Sequence, residues 1–332
     1  MISRRTTTTR FFSLKVPVAL LLLIGSLLAG CDGADATNRN ATTSTVAALS
    51  PSQKKIVCTT GMVADLVRNV ARPLIENHQL EVAQLMSDEV DPHLFKTSPG
   101  DIQLMQQADA IVYSGLHLEG KMGQVFENLA RRRKVLAVAE HLPTDLLLKV
   151  DDHFSDPHVW FDVGLWSRGL EPVTALLVEM FPDRKSDLEH SAAEYRKQLD
   201  ELDGRCHSEI ASIPESQRVL ITAHDAFHYW GRAYGIEVKA IQGISTESEA
   251  GVRQINDLVK FITERKIKAV FVETTVSDRA VLALIEGCSQ SGHKITIGGS
   301  LFSDAMGKLG TPEGTYVGMV EHNLHTIVHA LK

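Results

Sequence analysis

Two copies of one tripeptide carry the histidines best suited to bind a metal ion. Asp91-Pro92-His93 and Asp156-Pro157-His158 each follow an apolar, strand-like run. Proline fixes its own φ angle and pushes the preceding residue toward extended geometry, so each imidazole stands on a backbone with few conformations. Two imidazoles held in this way would supply half of a metal site.

The other half is predicted from two residues later in the chain, His224 and Asp304, which also follow predicted strands. Ligands of open parallel sheets bind beyond the carboxyl ends of the strands, where His93 and His158 are also expected. Gaps of 65, 66 and 80 residues separate the four, so the site would exist only in the folded chain. Three imidazoles and one carboxylate suit a first-row divalent ion such as Zn²⁺ or Mn²⁺. Because the imidazoles must be neutral to bind, we expect affinity to weaken as pH falls through about 6.5.

Three further carboxylates are candidates for supporting roles around the predicted site. Asp91 and Asp156 could accept hydrogen bonds that orient the neighbouring rings, or could act only as turn formers. Glu273 ends a predicted strand and is expected near the site or as a substitute ligand. His228 lies four residues after His224, the spacing of two zinc ligands in a HExxH motif, but no HExxH is present and packing is the simpler interpretation. Five other histidines lack a pattern that favours metal binding over a polar surface: His153, His207, His322, His325 and His329.

Strand and helix patterns alternate on both sides of one long polar segment. Short apolar runs predict four strands before it, at 55–60, 80–85, 110–113 and 134–138, and four after it, at 218–222, 237–241, 269–273 and 294–297. Strands that alternate with helices imply parallel sheets. Residues 184–213 predict a helix with sparse apolar positions, which we interpret as a rigid linker between two lobes. The predicted fold is therefore α/β, with parallel-sheet lobes at 54–183 and 214–332.

The first thirty residues have the pattern of an export signal. Four basic and no acidic side chains accompany an apolar run at 16–28, which is too short for a membrane span of about 20 residues. The run ends in Leu-Ala-Gly-Cys, typical of a bacterial lipoprotein signal cleaved before Cys31, whose sulfur then carries lipid. An ordinary secretory signal is the alternative, and either one exports the protein. Residues 31–53 are rich in Ala, Thr, Ser and Asn and predict a flexible tether to the outer face of the cytoplasmic membrane.

Charge and cysteine content limit the kinds of protein and site. The chain has 332 residues, enough for two domains, and a formal net charge of −7. Without residues 1–30 it would have 30 basic against 41 acidic side chains. That acidity argues against nucleic acid as a partner and suits a protein that attracts cations. The remaining cysteines are widely spaced and form no CxxC motif: Cys58, Cys206 and Cys288. We therefore expect buried thiols rather than a cysteine zinc site, and one disulfide is the alternative.

Further motif stretches extend along nearly the whole predicted mature chain. Besides the two Asp-Pro-His segments they are Thr59-Thr60-Gly61-Met62-Val63-Ala64-Asp65, His158-Val159-Trp160-Phe161-Asp162, Thr222-Ala223-His224-Asp225-Ala226-Phe227, Gly243-Ile244-Ser245-Thr246-Glu247-Ser248-Glu249, Phe271-Val272-Glu273-Thr274 and Ser300-Leu301-Phe302-Ser303-Asp304. Together they resemble the metal-binding lipoprotein family of ABC-transporter solute-binding proteins, the TroA-like group for zinc, manganese and iron. One stretch alone would be a weak signal, whereas the set is specific.

This resemblance implies metal ligands at His93, His158, His224 and Asp304, the four residues already selected by position. It also implies two α/β lobes joined by a single rigid helix, which should limit hinge closure. The transported ligand would be Mn²⁺ or Zn²⁺, with Fe²⁺ as a third candidate, and no reaction would be catalysed. The implied partners are an ABC permease and its ATPase subunit, and the protein itself is expected to be a monomer.

The resemblance leaves the choice of metal open. Zinc-specialised members often carry a long loop rich in histidine and acidic residues between the first two ligands. Residues 94–157 hold only three histidines, which weakens the interpretation as a dedicated zinc scavenger. The donor set favours zinc, because Mn²⁺ prefers oxygen ligands more strongly than Zn²⁺ does.

Two other functions are compatible with an exported metal protein. A metallohydrolase would need an open coordination position and a general base, for which Glu273 is the candidate. Four protein ligands would leave little room for an activated water, which argues against this alternative. A surface adhesin is the second alternative, because some surface lipoproteins of the same family are described as adhesins.

Overall fold

Eight strands and eleven α-helices occur along residues 53–332, the part of the chain that the computed structural model describes. The predicted signal at 1–30, Cys31 and all but the last residue of the predicted tether lie outside the described residues. Within 53–332, no helix is both long enough and apolar enough to cross a membrane.

The first half is built on a parallel four-stranded sheet in the order β2-β1-β3-β4. The strands are β1 (Lys54–Cys58), β2 (Leu80–Gln84), β3 (Ala110–Tyr113) and β4 (Lys134–Ala137). Helices α1 (Gly61–Val70), α2 (Arg72–Glu76), α3 (Pro99–Gln107) and α4 (Gly123–Ala130) lie between them. Side chains of β1 alternate, with Ile56 and Cys58 in the main core and Val57 in a smaller core on the other face. Both faces of this sheet are therefore covered, as parallel sheets require.

The second half has two parallel strand pairs. Strand β5 (Val219–Thr222) pairs with β6 (Glu237–Ala240), and β7 (Ala269–Glu273) pairs with β8 (Thr296–Leu301). Its helices are α8 (His228–Tyr234), α9 (Val252–Arg265), α10 (Arg279–Gln290) and α11 (Tyr316–Leu331). Along β7, Phe271 packs into the main core and Val270 into a separate core of the second half. The α/β alternation predicted for both halves is confirmed.

The last strand differs from its predicted position, because β8 continues through two glycines that look like a strand end in the sequence. A Cβ atom on Gly298 would lie 2.8 Å from the Phe271 ring, and one on Gly299 would lie 2.4 Å from the Thr326 side chain of α11. Contacts this close exclude any larger residue. The glycine pair thus allows α11 to pack directly on β8, and the strand reaches Leu301 rather than ending at 297.

The segment between β4 and the long polar helix contains two α-helices rather than one continuous helix. They are α5 (Val163–Ser167) and α6 (Leu170–Met180), separated at Gly169. A Cβ atom at Gly169 would lie 2.7 Å from the Val138 side chain, so the break lets the chain pass close to the end of β4.

The long helix α7 (Lys185–Ala211) lies between the two halves and contacts both. It packs on α1 and α6 of the first half and on α8 and α11 of the second. Its apolar positions form a narrow stripe of buried residues: Leu188, Tyr195, Leu199, Leu202, Cys206 and Ile210. One continuous core includes this stripe and residues of both halves. A helix lies where the sequence predicts one, while its role as a linker and the lobe boundaries 54–183 and 214–332 stay predictions.

The three cysteines in the described residues are buried free thiols, so the alternative of a disulfide is not realised. Burial raises the pKa of Cys58 and of Cys206 to about 12. These thiols therefore act as small apolar core residues.

Candidate metal centre

The four residues selected from the sequence meet at one point between the two halves. His93 follows β2, His158 lies in the connection after β4, His224 follows β5 and Asp304 follows β8. One side-chain donor atom from each lies within 4.8 Å of the other three. The carboxyl ends of the parallel strands thus deliver the four side chains to a common edge, as expected for this class of sheet.

The imidazole Nε2 atoms face the carboxylate of Asp304 at distances suited to a single bound ion. Nε2 of His158 lies 3.3 Å from Oδ1, while Nε2 of His224 and of His93 lie 3.2 and 3.7 Å from Oδ2. The Nε2 atoms of His93 and His158 are 3.4 Å apart. A tetrahedral ion with bonds of about 2.0–2.1 Å separates its ligand atoms by roughly 3.3 Å. The four measured distances lie close to that separation, so the cluster suits one divalent ion such as Zn²⁺.

Burial makes this cluster costly without a cation. His158 and His224 are fully buried, Asp304 is 1% exposed and His93 is 6% exposed. In the described part of the chain, Nε2 of His224 and both oxygens of Asp304 are buried without a well-aligned hydrogen bond. Each unsatisfied buried polar atom costs about 1–3 kcal/mol, and more when charged. A divalent ion would satisfy all of these lone pairs at once.

Two of the three imidazoles are locked in position by a carboxylate on the far side of the ring. Asp156 Oδ1 accepts hydrogen bonds from the backbone N–H of His158 at 2.9 Å and from its Nδ1 at 2.7 Å. Glu273 holds His224 in the same way, through the backbone N–H and through Nδ1. A carboxylate at Nδ1 fixes the tautomer whose Nε2 lone pair points at the ion. The predicted supporting carboxylates Asp156 and Glu273 are thus in place to orient these rings.

Asp91 has a different geometry although it stands in the same tripeptide as Asp156. Its Oδ1 accepts the backbone N–H of His93 at 2.8 Å, which is the turn-forming interpretation, and it makes no bond to the His93 ring. Its Oδ2 accepts a hydrogen bond from Thr246 Oγ1 at 2.5 Å. Asp91 therefore supports the backbone of His93 rather than its imidazole.

Trp160 connects the loops that carry His158 and Asp304, a role that the sequence did not predict. Its Nε1 donates to the carbonyl of Ser303, the residue before Asp304, at 3.1 Å. Its ring packs edge-on against His158, with centroids 5.3 Å apart. Tyr316 of α11 donates to the carbonyl of Trp160 at 2.6 Å. The signal in the sequence was a large aromatic residue two positions after His158, within one of the motif stretches.

The other histidines discussed above lie outside the cluster. His228 is exposed and lies 3.1 Å from Asp225, so it is neither a ligand nor a core residue. His207 and His325 approach Asp203 and Glu209 of α7 at the surface. The remaining three, His153, His322 and His329, contribute no donor atom to the cluster either.

The charges of the site favour protonated imidazoles before a cation binds. Burial lowers the pKa of His93 to about 4. Burial also acts to lower the pKa of His158, but the carboxylates of Asp156 and Asp304 outweigh it and raise that pKa to about 9. The pKa of His224 is raised well above its ordinary value, because Glu273 and Asp304 outweigh its burial. Burial would raise the pKa of Asp304, yet His224 and His158 hold it well below its usual range. A cation that binds here would therefore compete with protons on His158 and His224.

The sequence matches a known family over nearly all of the described residues. A model of the ZnuA family, described as zinc-uptake complex component A, periplasmic, matches residues 56–330. The chain belongs to this family. The resemblance to TroA-like solute-binding proteins predicted from the motifs is therefore confirmed, and so is the function class, a solute-binding component of metal uptake.

The similarity to known relatives extends over most of this chain. The chain is 42% identical over 316 residues to the manganese-binding lipoprotein MntA of Bacillus subtilis, which covers 95% of this chain and 98% of that protein. It is 46% identical over 276 residues to the zinc-binding protein TroA of Treponema pallidum, and this match covers 83% of this chain and 88% of that protein. The solved structure of periplasmic TroA from Treponema pallidum superposes with a TM-score of 0.81 at 45% identity, covering 84% of this chain and 99% of that chain. This likeness confirms the predicted two-lobed α/β fold.

Removal of the carboxylate behind His224 tests the orienting role of Glu273. Glu273→Gln keeps the side-chain shape but loses the charge, so we expect Zn²⁺ affinity to fall by roughly 10- to 100-fold. The dissociation constant is measured by competition with a chelator of known affinity. Glu264→Gln, an exposed residue of α9, is the matched control and should retain wild-type affinity. Equal affinity in the two variants would contradict an orienting role.

The pKa shifts predict that metal binding releases protons across a wider pH range than an isolated imidazole would allow. His158 loses its proton only as pH rises toward about 9, and the pKa of His224 is also raised well above its ordinary value, so the metal competes with both protons at pH 7. Affinity for Zn²⁺ should rise with pH by about tenfold per unit for each proton displaced. Calorimetric titration in buffers of different ionisation enthalpy should find about two protons released per ion. Constant affinity from about pH 6 to 8 with no proton release would contradict these charge assignments.

Proposed function

We propose that this protein captures one Mn²⁺ or Zn²⁺ ion outside the cytoplasmic membrane and delivers it to an ABC permease. The ligands are His93, His158, His224 and Asp304. The observation that carries this proposal is the convergence of four buried donor atoms, two from each half, within 4.8 Å. Because no two ligands are near each other in sequence, the ion is held only by the assembled halves.

The donor set supports both metals. Three imidazoles suit Zn²⁺, while the two oxygens of Asp304 give Mn²⁺ the oxygen coordination that it prefers. MntA is named as manganese-binding and TroA as zinc-binding, at 42% and 46% identity to this chain. Fe²⁺ can use the same ligands. Elemental analysis of protein purified from its own host identifies the cargo, since tight Zn²⁺ binding in the test tube follows from the Irving–Williams order alone.

The hydrogen bonds of Glu273 support ion capture rather than catalysis. Both of its oxygens are engaged by His224, one at the backbone N–H and one at the ring. A hydrolase would need that carboxylate free as a base beside an open coordination position. Four protein donors around one point instead suit a closed carrier site, and we propose that the protein catalyses no reaction.

The sequence supports a lipid anchor for this carrier. We propose that the signal at 1–30 is cleaved, that Cys31 carries lipid, and that residues 32–53 connect the anchor to β1. The anchor would keep a monomeric protein at the outer face of the cytoplasmic membrane, on the periplasmic side in a Gram-negative host. There it would meet the permease and, through the permease, the ATPase subunit.

Lipidation at Cys31 is tested by replacing that residue in the native host. The wild-type protein should fractionate with membranes and show acyl chains on residue 31 by mass spectrometry. Cys31→Ser should move the protein to the soluble extracytoplasmic fraction, because a hydrophobic anchor is lost. The buried Cys206→Ser serves as the control and should stay with the membrane. An unmodified Cys31 in the wild-type protein would contradict the anchor.

Loss of one ligand tests the proposed function itself. A ligand at 1,000 times its dissociation constant stabilises a protein by about 4 kcal/mol, so Zn²⁺ or Mn²⁺ should raise the melting temperature of the wild-type protein. His158→Ala removes a fully buried ligand and should abolish most of that increase. Circular dichroism checks that the variant is folded. His228→Ala, an exposed histidine outside the cluster, should respond to metal like the wild type. An unchanged metal response in His158→Ala would refute the assignment.

A further inference from the structure

A short loop of the second half reaches across to the first half beside the metal site. Residues 243–247, here called the strap, lie between β6 and α9 and belong to a motif stretch that the site does not use. The carbonyl of Gly243 accepts the N–H of Asp225 at 3.4 Å, which fixes the strap to the second half next to His224. Thr246 and Glu247 carry its contacts with the first half.

These contacts join neighbouring strap residues to two separate parts of the first half. Thr246 Oγ1 donates to Asp91 Oδ2 at 2.5 Å, across 155 residues of sequence. Lys121 Nζ lies 2.9 Å from Glu247 Oε1, with both side chains partly exposed. A hydrogen bond to a carboxylate is worth more than an exposed ion pair, so the Thr246 contact carries most of the energy.

His93 is the ligand that most depends on such a contact. His158 and His224 each have a carboxylate at Nδ1, but in the described residues no carboxylate accepts a hydrogen bond from Nδ1 of His93. Its position is set instead through its backbone N–H, which Asp91 Oδ1 accepts. The other oxygen of the same carboxylate is the one held by Thr246. Thr246 therefore acts on the first ligand through Asp91.

The strap also lines the approach to the site. A cavity beside the cluster is bounded by His93, Lys121 and Pro157 and by Ile244, Ser245 and Glu247. His93 lines this cavity and the other three ligands do not. It is also the most exposed of the four, at 6% against at most 1%. An ion that enters or leaves by this cavity passes His93 and the strap.

We propose that Thr246 is a positioning residue that sets how long the cation stays bound, by holding Asp91 and through it His93. The ion pair between Glu247 and Lys121 assists by keeping the strap on the first half. This inference rests on the proposed function, since it assigns a kinetic role within the same site. It explains why one of the three imidazoles is held from the other half of the molecule.

The test compares substitutions that differ only in the hydroxyl group. Thr246→Val keeps the shape but removes the donor, so Zn²⁺ should dissociate roughly tenfold faster. Thr246→Ser restores the donor and should return the rate to near the wild-type value. Thr263→Val removes a similar hydroxyl in α9, whose bond is to the carbonyl of Val259, and should leave the rate unchanged. Rates are measured in the full mature protein by transfer of Zn²⁺ to a chromogenic chelator.

A charge exchange tests the assisting ion pair. Lys121→Glu and Glu247→Lys should each accelerate Zn²⁺ release by up to about fivefold, because an exposed pair contributes at most about 1 kcal/mol. The double variant restores the pair in reverse and should return to near the wild-type release rate.

If the wild type retains Zn²⁺ while Thr246→Val releases it at the wild-type rate, the role of Thr246 is wrong and the proposed function stands. If the wild type retains neither Zn²⁺ nor Mn²⁺, both are overturned.

Discussion

Buried donor atoms that face one another are the constraint on which this structure depends. Three Nε2 atoms and the carboxylate of Asp304 meet in a closed volume from which solvent is nearly excluded. Such a cluster repels itself or retains protons unless a cation binds. The fold must therefore hold the four side chains close enough to attract an ion. It must also hold them firmly enough that they keep these positions when no ion is bound.

The parallel sheets and the long helix α7 meet that requirement together. Parallel strands place all their carboxyl ends on one edge, so loops from both halves reach the same point. α7 packs on both halves through one buried stripe, and a single core continues across it. Trp160 adds a link between the loops of His158 and Asp304. A shared core of this kind favours small adjustments of loops over wide opening of the lobes.

The three histidines are held with unequal firmness, and this asymmetry has a functional meaning. Carboxylates lock the rings of His158 and His224 from behind, whereas His93 is placed by its backbone and by a loop of the other half. A carrier must bind its ion tightly and still release it. In the proposed carrier, two preorganised ligands would provide affinity, and a third that depends on a removable contact would provide a point where release can begin.

Local patterns made most of the fold and the four clustered residues predictable from the sequence. Apolar runs located all eight strands, and the two Asp-Pro-His segments with His224 and Asp304 located the four side chains that cluster. What could not be predicted depends on contacts between distant residues. Asp91 and Asp156 occupy identical tripeptides, yet only Asp156 bonds a ring. The partner of Asp91, Thr246, lies 155 residues away. The extent of β8 and the break at Gly169 depend on close approaches to Phe271 and Val138 that no local pattern encodes.

X-ray absorption spectroscopy of the Zn²⁺-loaded protein tests most directly whether these four side chains share one ion. The account predicts one ion per chain, surrounded only by nitrogen and oxygen at about 2.0–2.1 Å, with scattering from three imidazole rings. A sulfur neighbour at about 2.3 Å, or fewer than two imidazoles in the coordination shell, would contradict it.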